Sequence, residues 1–404
     1  MFALPVPRRR VLVGAAAGAL LLAVSAVGIR AMDAGNPSPA GATVSRASPQ
    51  AVAPGPTRDP ANPRTVRLVA AGDVLIHPAV TEQARRDGAR AGGLDFAPMF
   101  AGVAPVVRDA DLALCHLETP LADPAGPFAG YPSFNAPPQV LDALRTTGFD
   151  GCSTASNHTL DQGADGVTRT LRALDAAGLG HTGSARSAAE AARPRIYQVG
   201  DVRVAHLAYS LNFNGLSRPS GKPWLANLIK PAEILAAAHK ARVAGADIVV
   251  LSLHWGTEYQ HLPDADQRAW AKQLISSPDV DLILGHHAHA VQPFQRFGDK
   301  WVVFGMGNEI ARHETPIDDN REGVMARATF TETAPGRWTV TRMEALPTWT
   351  DLAPALRLVD LTAALADPGT PPGLRGDYRE AYQRVLGYVR ALAAGPDQVV
   401  ASGG

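Results

Sequence analysis

The stretch Phe149–Gly178 reads FDGCSTASNHTLDQGADGVTRTLRALDAAG. It opens with a strand, Phe149 to Thr154, and passes through a polar cluster, Ala155 to Gly163. It continues as a helix from about Gly163 to Ala177, which Gly178 stops. Strand, polar cluster, helix is the unit of an α/β sheet, and such sheets place their sites where strands end. Four further clusters follow apolar runs in the same way: AAGDVLIH (Ala70–His77), CHLET (Cys115–Thr119), LHWGTEY (Leu253–Tyr259) and GHHAHAVQ (Gly285–Gln292). One sheet edge would gather them in space.

Working outward, Val66–Ala71 and Asp111–Leu117 read as strands, and Pro98–Arg108 and Gln139–Thr147 as helices. With the opening stretch this gives βαβαβα, a parallel sheet with short crossovers. Further on, Arg195–Val199 and Val202–Ala208 flank Gly200-Asp201 as a hairpin. Val291–Phe297 with Lys300–Phe304, and Val324–Glu332 with Arg337–Glu344, form two more. Between them lie helices at Ala232–Ala244 and Asp264–Ser276, and strands at Asp247–Leu253 and Asp281–Leu284. The expected fold is α/β: two mixed sheets packed together with helices outside, a four-layer αββα sandwich.

Four segments are expected along the 404 residues. Residues 1–30 carry Arg8, Arg9 and Arg10 before an apolar stretch, Val11 to Ile29. This is a signal peptide or membrane anchor, and it places the rest outside the cytoplasm, anchored or secreted. Residues 31–63, rich in Pro, Ala and Ser, read as a disordered linker. Residues 64–345 form the main domain. Residues 346–404 form a loop-rich extension, with a loop excursion from Trp349 to Pro372 and a final helix from Tyr378 to Ala394.

Lys+Arg and Asp+Glu are both 38, which disfavours a nucleic-acid partner held through a broad phosphate footprint. The two cysteines, Cys115 and Cys152, do not make a disulfide framework. Two buried free thiols are the preferred reading, with a disulfide as the alternative outside the cytosol.

The clusters offer oxygen and imidazole ligands without a cysteine set, which suits divalent Mn, Fe or Zn, or a mixed pair. Asp73 follows a strand and a Gly; Glu118 closes a strand, where a carboxylate can bridge two cations. Asn157 offers a neutral amide oxygen. His158 beside it can protonate a leaving oxygen or hold a phosphate, and Asp161 can orient that ring. His254 ends the most apolar strand, and Glu258 beyond it reads as a general base, a ligand-orienting partner, a carbohydrate contact or a solvated loop residue. His287 and His289 stand two apart, on what reads as an extended segment, so both side chains point one way toward a metal pair. His77, His286, Gln292 and Asn308 are additional candidates.

In this order the motifs resemble those of the bacterial capsule-synthesis CapA family, the poly-γ-glutamate synthesis accessory proteins. The matching residues are Gly72-Asp73, Leu117-Glu118, Ser156-Asn157-His158 with Asp161 and Gly163, His254-Trp255-Gly256 with Glu258, Gly285 with His287, His289, Val291 and Gln292, and Gly307-Asn308. That family is similar to the calcineurin-like metallophosphoesterases. The resemblance implies that Asp73, Glu118 and His289 bind one metal, and that Glu118, Asn157, His254 and His287 bind the other. It makes His158 the acid or phosphate contact. Departures are Leu75 where a His is usual two after Asp73 (His77 is a candidate substitute), Ser156 for Asn, Ala288 for Pro, Met306 for Leu and Glu309 for Phe.

The resemblance implies an extracytoplasmic, membrane-tethered protein of envelope-polymer synthesis or export. Its ligand would be an anionic polymer such as poly-γ-glutamate, or an envelope phosphoester. Two other readings are a non-catalytic polymer-binding or scaffold subunit of a membrane synthase, and a secreted metal-dependent phosphodiesterase or nucleotidase.

Overall fold

Alternation of side chains along the strands sets the layers of the computed structural model, which describes residues 63–313, 317–393 and 399–401. The leader expected at 1–30 and nearly all of the linker expected at 31–63 lie outside these residues. Among the described residues no helix is long and apolar enough to cross a membrane.

The first half runs β1 (Thr65–Val74), α1 (Pro78–Asp87), α2 (Ala97–Phe100), α3 (Ala104–Arg108), β2 (Leu112–Leu117), α4 (Val140–Thr147), β3 (Gly151–Ser153), α5 (Gly163–Ala176) and β4 (Gly180–Thr182). Strands β1 to β4 are parallel neighbours. The single helix expected over Pro98–Arg108 is two short ones, because Pro105 opens a new helix rather than continuing the old.

Next come α6 (Ala188–Ala191), β5 (Arg195–Val199), β6 (Val202–Ser210), α7 (Pro231–Val243), β7 (Ile248–His254), α8 (Ala265–Ile275), β8 (Leu282–His286), β9 (Phe294–Phe297) and β10 (Lys300–Val303). They build the second sheet, in the order β5-β6-β7-β8-β10-β9. Its centre is parallel, and its two edges, β5 and β9, are the expected hairpins.

Strands β11 (Asn308–Ile310), β12 (Glu322–Ala334), β13 (Arg337–Asp351) and β14 (Arg357–Asp360) return to the first sheet, ordered β14-β13-β12-β1-β2-β3-β4 with β11 beside β1. Helices α9 (Leu361–Ala366) and α10 (Pro372–Arg390) follow. The stretch from Trp349 to Pro372 is therefore not a loop excursion. It pairs β14 along β13 in register and caps α9 with the Asp360 carboxylate.

Three cores fill the spaces between layers. Val69, Ala71 and Val74 of β1 face α1 to α5. Val66, Leu68 and Ala70 face the other way, against Val250 of β7, Leu284 of β8 and Val303 of β10. Val249 and Leu251 of β7 turn outward onto Ile234 and Ala238 of α7 and Leu274 of α8. Helix, sheet, sheet, helix is the four-layer order expected, and the central strands β2, β7 and β8 are buried on both faces because both are covered.

Cys115 and Cys152 face each other in register on β2 and β3, with Cα atoms 4.4 Å apart, and form a disulfide. This corrects the preferred reading of two free thiols. Adjacent parallel strands brought the pair within bridging distance, a proximity that cysteine spacing alone does not reveal.

Candidate metal centre

A β-bulge decides where Asp73 points. Ala70 pairs with Leu114, but Asp73 pairs with His116, so β1 spends three steps where β2 spends two. The extra residue flips the alternation, and Asp73 turns into the space between the sheets while Val74 faces the helices. Gly72 permits this: a Cβ there would lie 2.3 Å from the Gly307 carbonyl oxygen. The same end of the fold brings up Glu118 after β2, Asn157 and His158 after β3, His254 ending β7, His287 and His289 after β8, and Asn308 at the start of β11.

Asp73 is the hub. Its carboxylate lies 3.2 Å from His286 Nδ1 and 3.3 Å from His289 Nδ1, and accepts the His287 backbone N–H at 3.1 Å. His289 Nε2 is 3.6 Å from Glu118 Oε1, and His254 Nε2 is 4.0 Å from the same oxygen. His254 Nε2 is also 3.0 Å from Asn157 Oδ1. Among the described residues, two groups place ligand atoms close enough for one cation: Asp73, Glu118 and His289, and Asp73, His116 and His286. The first group is the set the resemblance implies for one metal.

His287 and His289 do not sit on an extended segment. Strand β8 ends at His286, and both residues have positive φ, 87° and 49°. That left-handed backbone is costly for a non-glycine residue and recurs at functional sites. It splays the rings, with centroids 6.2 Å apart. His289 reaches Asp73 and Glu118, and His287 lies against His254, centroids 4.5 Å apart.

A buried chain sets the orientation of His254. Its Nδ1 is 3.0 Å from His116 Nε2, and His116 Nδ1 is 2.7 Å from Ser153 Oγ. For His254 Nε2 to present a lone pair toward a cation, Nδ1 must carry the proton and donate it to His116. His116 Nδ1–H then faces Ser153 Oγ, whose proton is left for the Cys115 carbonyl at 3.5 Å. Asn308 does the corresponding work for His289, with Oδ1 3.0 Å from Nδ1, and is itself held by donating to the Asn320 carbonyl at 3.0 Å.

These residues fit divalent cations. Glu118 is 1 % exposed, and neither carboxylate oxygen has a hydrogen-bond partner; His287 Nδ1 and His286 Nε2 are likewise buried without one. Unpaired buried acceptors of this kind are costly unless a cation meets them. Burial pushes Glu118 up, to about 8. Burial alone would push His289 down, but Glu118 and Asp73 hold the proton on it. Burial keeps His254 well below the usual histidine range, and burial with His289 brings His287 down to about 4, so both rings are neutral, the form that ligates.

His158 Nδ1 and Asp161 Oδ2 are 2.7 Å apart, and Asp161 Oδ2 also accepts the Phe134 N–H at 2.7 Å. His77, Glu258 and Gln292 stand outside the two ligand groups. His77 packs on Phe134 and His313 and accepts the Arg312 N–H. Glu258 is exposed on the turn after β7. Gln292 is fully buried, and its amide is spent on Gln267 and the Gln260 carbonyl. His116, Ser153 and His313 were missed. His116 was readable, because it stands two before Glu118 and shares its face of the strand.

The family described as bacterial capsule synthesis protein PGA_cap matches residues 67–313. The capsule biosynthesis protein CapA of Bacillus anthracis is 28% identical over 247 residues, which cover 59% of this chain and 58% of that one. The PGA biosynthesis protein CapA of Bacillus subtilis is 24% identical over 277 residues, 68% and 70% of the two chains. The chain thus spans little more than half the length of the first of these relatives. Among solved structures, the calcineurin-like phosphoesterase YfkN of Bacillus subtilis is similar at 13% identity and a TM-score of 0.46, covering 81% of this chain and 100% of that one. A 5'-nucleotidase precursor from Thermus thermophilus is similar at 16% and 0.44, covering 82% and 60%. With its motifs and more than half of its length matched, the chain belongs to the bacterial capsule synthesis protein family.

Proposed function

We propose that this is an extracytoplasmic protein of capsule or poly-γ-glutamate synthesis or export that carries a dinuclear metal hydrolase site. The observation that carries the reading is the Glu118 carboxylate, buried without a hydrogen bond between Asp73, His289 and His254. Asp73, Glu118 and His289 would hold one divalent cation, and Glu118, Asn157, His254 and His287 a second, as Mn, Fe or Zn. Such ions supply Lewis-acid activation of water and of a phosphoester oxygen. The chain supplies orientation and a proton. Asp161 fixes His158 through Nδ1, which leaves Nε2 to protonate a leaving oxygen or hold a phosphate.

The basic and apolar leader supports placement outside the cytoplasm, and so does the Cys115–Cys152 disulfide, a bond kept in oxidising compartments. The relatives named for capsule and PGA biosynthesis support an anionic polymer as the ligand; an envelope phosphoester as substrate and membrane synthase or export subunits as partners are part of the same proposal. Full-length protein supplied with Mn should hydrolyse an activated phosphodiester, and Asp73→Ala should lower turnover by about a hundredfold or more. Equal turnover in Asp73→Ala would remove the hydrolase reading.

One observation favours a non-catalytic scaffold instead. Leu75, where the resemblance leads one to expect a ligand histidine, packs into an apolar cluster with Phe134 and Ala311, and His77 does not replace it. Recovery of synthase or channel subunits with a metal-free variant as efficiently as with the parent would support that reading.

A further inference from the structure

A second site lies away from the metal centre, in a cleft of about 750 Å³ where the last strand of the first sheet, β4, meets the edge strand of the second, β5. Strand β6 and helix α7 complete its walls. Five of its lining residues are cations: Arg186, Arg193, Arg195, Arg203 and Lys240. Only Arg186 is neutralised, by Glu190, which also lines the cleft, and by Asp175. Among the described residues the other four have no carboxylate within salt-bridge distance. The chain as a whole is electrically neutral, so this is a local excess and not a general basic surface.

Two of the three unpaired guanidiniums are built in place. Arg195 Nε donates to the His181 carbonyl at 3.2 Å. Arg203 lies in space that Gly245 leaves open: a Cβ on Gly245, at φ 92°, would stand 2.1 Å from Arg203 Nη1. The carboxylate beside it, Asp247, accepts the Arg203 backbone N–H and not the guanidinium. Cations held in position without a counter-ion from the protein are complementary to an anionic ligand, and guanidinium forks match carboxylate geometry.

One hydrogen bond links the lining of the cleft to the loop of the metal centre. Ser184 lines the cleft, and its hydroxyl is 2.7 Å from Thr154 Oγ1, at the start of the loop that carries Asn157 and His158. A small cavity lined by Ser184, Thr154 and Glu118 adjoins both.

We propose that this cleft binds a segment of a polyanionic chain bearing repeated carboxylates, and so holds the polymer while another part of it lies at the metal centre. The cations come from three separate stretches of chain, the run that holds Arg193 and Arg195, β6 and α7, a spread suited to several charges on one ligand and not to a single small anion. The choice of a carboxylate polymer rests on the function proposed above; the position of the site does not.

The test uses the full-length protein and a fluorescently labelled γ-linked glutamate oligomer, with polyphosphate of similar charge as competitor. Binding should be saturable and should weaken steeply with added salt. Arg193→Glu with Lys240→Glu, both exposed, should weaken it about tenfold, with metal content equal to the parent's. Arg203→Gln should also weaken it, and Arg193→Lys should not. Affinity unchanged in both the double variant and Arg203→Gln overturns the proposal, as does a parent that ignores the oligomer. Polyphosphate binding while the glutamate oligomer does not overturns the carboxylate assignment. A parent that binds metal but no polymer sinks the cleft alone; one that binds polymer but no metal sinks the hydrolase reading and leaves the cleft standing.

Discussion

His116 shows what a single residue decides here. It is not one of the ligands proposed above, yet its Nε2 faces His254 Nδ1 and so sets which nitrogen of His254 is free. His116→Ala should weaken metal binding about 10- to 100-fold while the fold persists, since loss of such a partner typically costs that much. Metal titration of the variant, beside its circular dichroism, checks this; affinity equal to the parent's would show that His254 needs no such support. At this scale most of the centre was legible. Asp73, Glu118, Asn157, His254, His287 and His289 were readable because polar residues that end apolar strands have few other uses. Glu258 and Gln292 stand outside the ligand groups for a physical reason. Lying beside a ligand in sequence does not fix direction, and the turn after β7 exposes one while packing against α8 buries the other. His116 is legible only from the alternation that puts it on the same face as Glu118, because it lies inside the strand and not at its polar end.

Among elements, strands and hairpins were readable from apolar runs and Gly-rich turns, while irregularities were not. The bulge that turns Asp73 inward adds one residue to β1, and no composition signal marks it. The same holds for the left-handed loop at His287 and His289, whose spacing suggested an extended segment. Helix α1 presents little apolar surface, only Val80 and Ala84 in its core, and β4 is three residues long; neither carries enough pattern to be seen. The disulfide between β2 and β3 belongs to this scale. It closes a separation of 37 residues across two strands that each lead to a site residue. Cys115→Ser with Cys152→Ser should cost about 2–4 kcal/mol of stability, measured by urea unfolding against the oxidised parent. Equal stability of the two forms would mean the sheet alone fixes the strand pair.

Across the whole molecule, the space between the two sheets is apolar at one end and rich in neutral histidine at the other. His206 is an example. Burial, with help from His286 and Arg195, lowers it from 6.5 to about 3. The unfolded chain binds a proton there that the folded chain refuses, so this stability is present above pH 6.5 and is lost as pH falls toward about 3. Metal-stripped protein should therefore lose unfolding free energy between about pH 6.5 and 4, and His206→Leu should make that loss shallower. An identical slope in the variant would place the acid sensitivity elsewhere. The central claim is that His254, His287, His289 and the unpaired Glu118 hold cations. Metal analysis of the purified full-length protein, beside His287→Ala, tests it most directly. About two Mn, Fe or Zn ions per chain, with at least one lost in the variant, is the predicted result. A protein that takes up no metal even after incubation with Mn and Zn would contradict it.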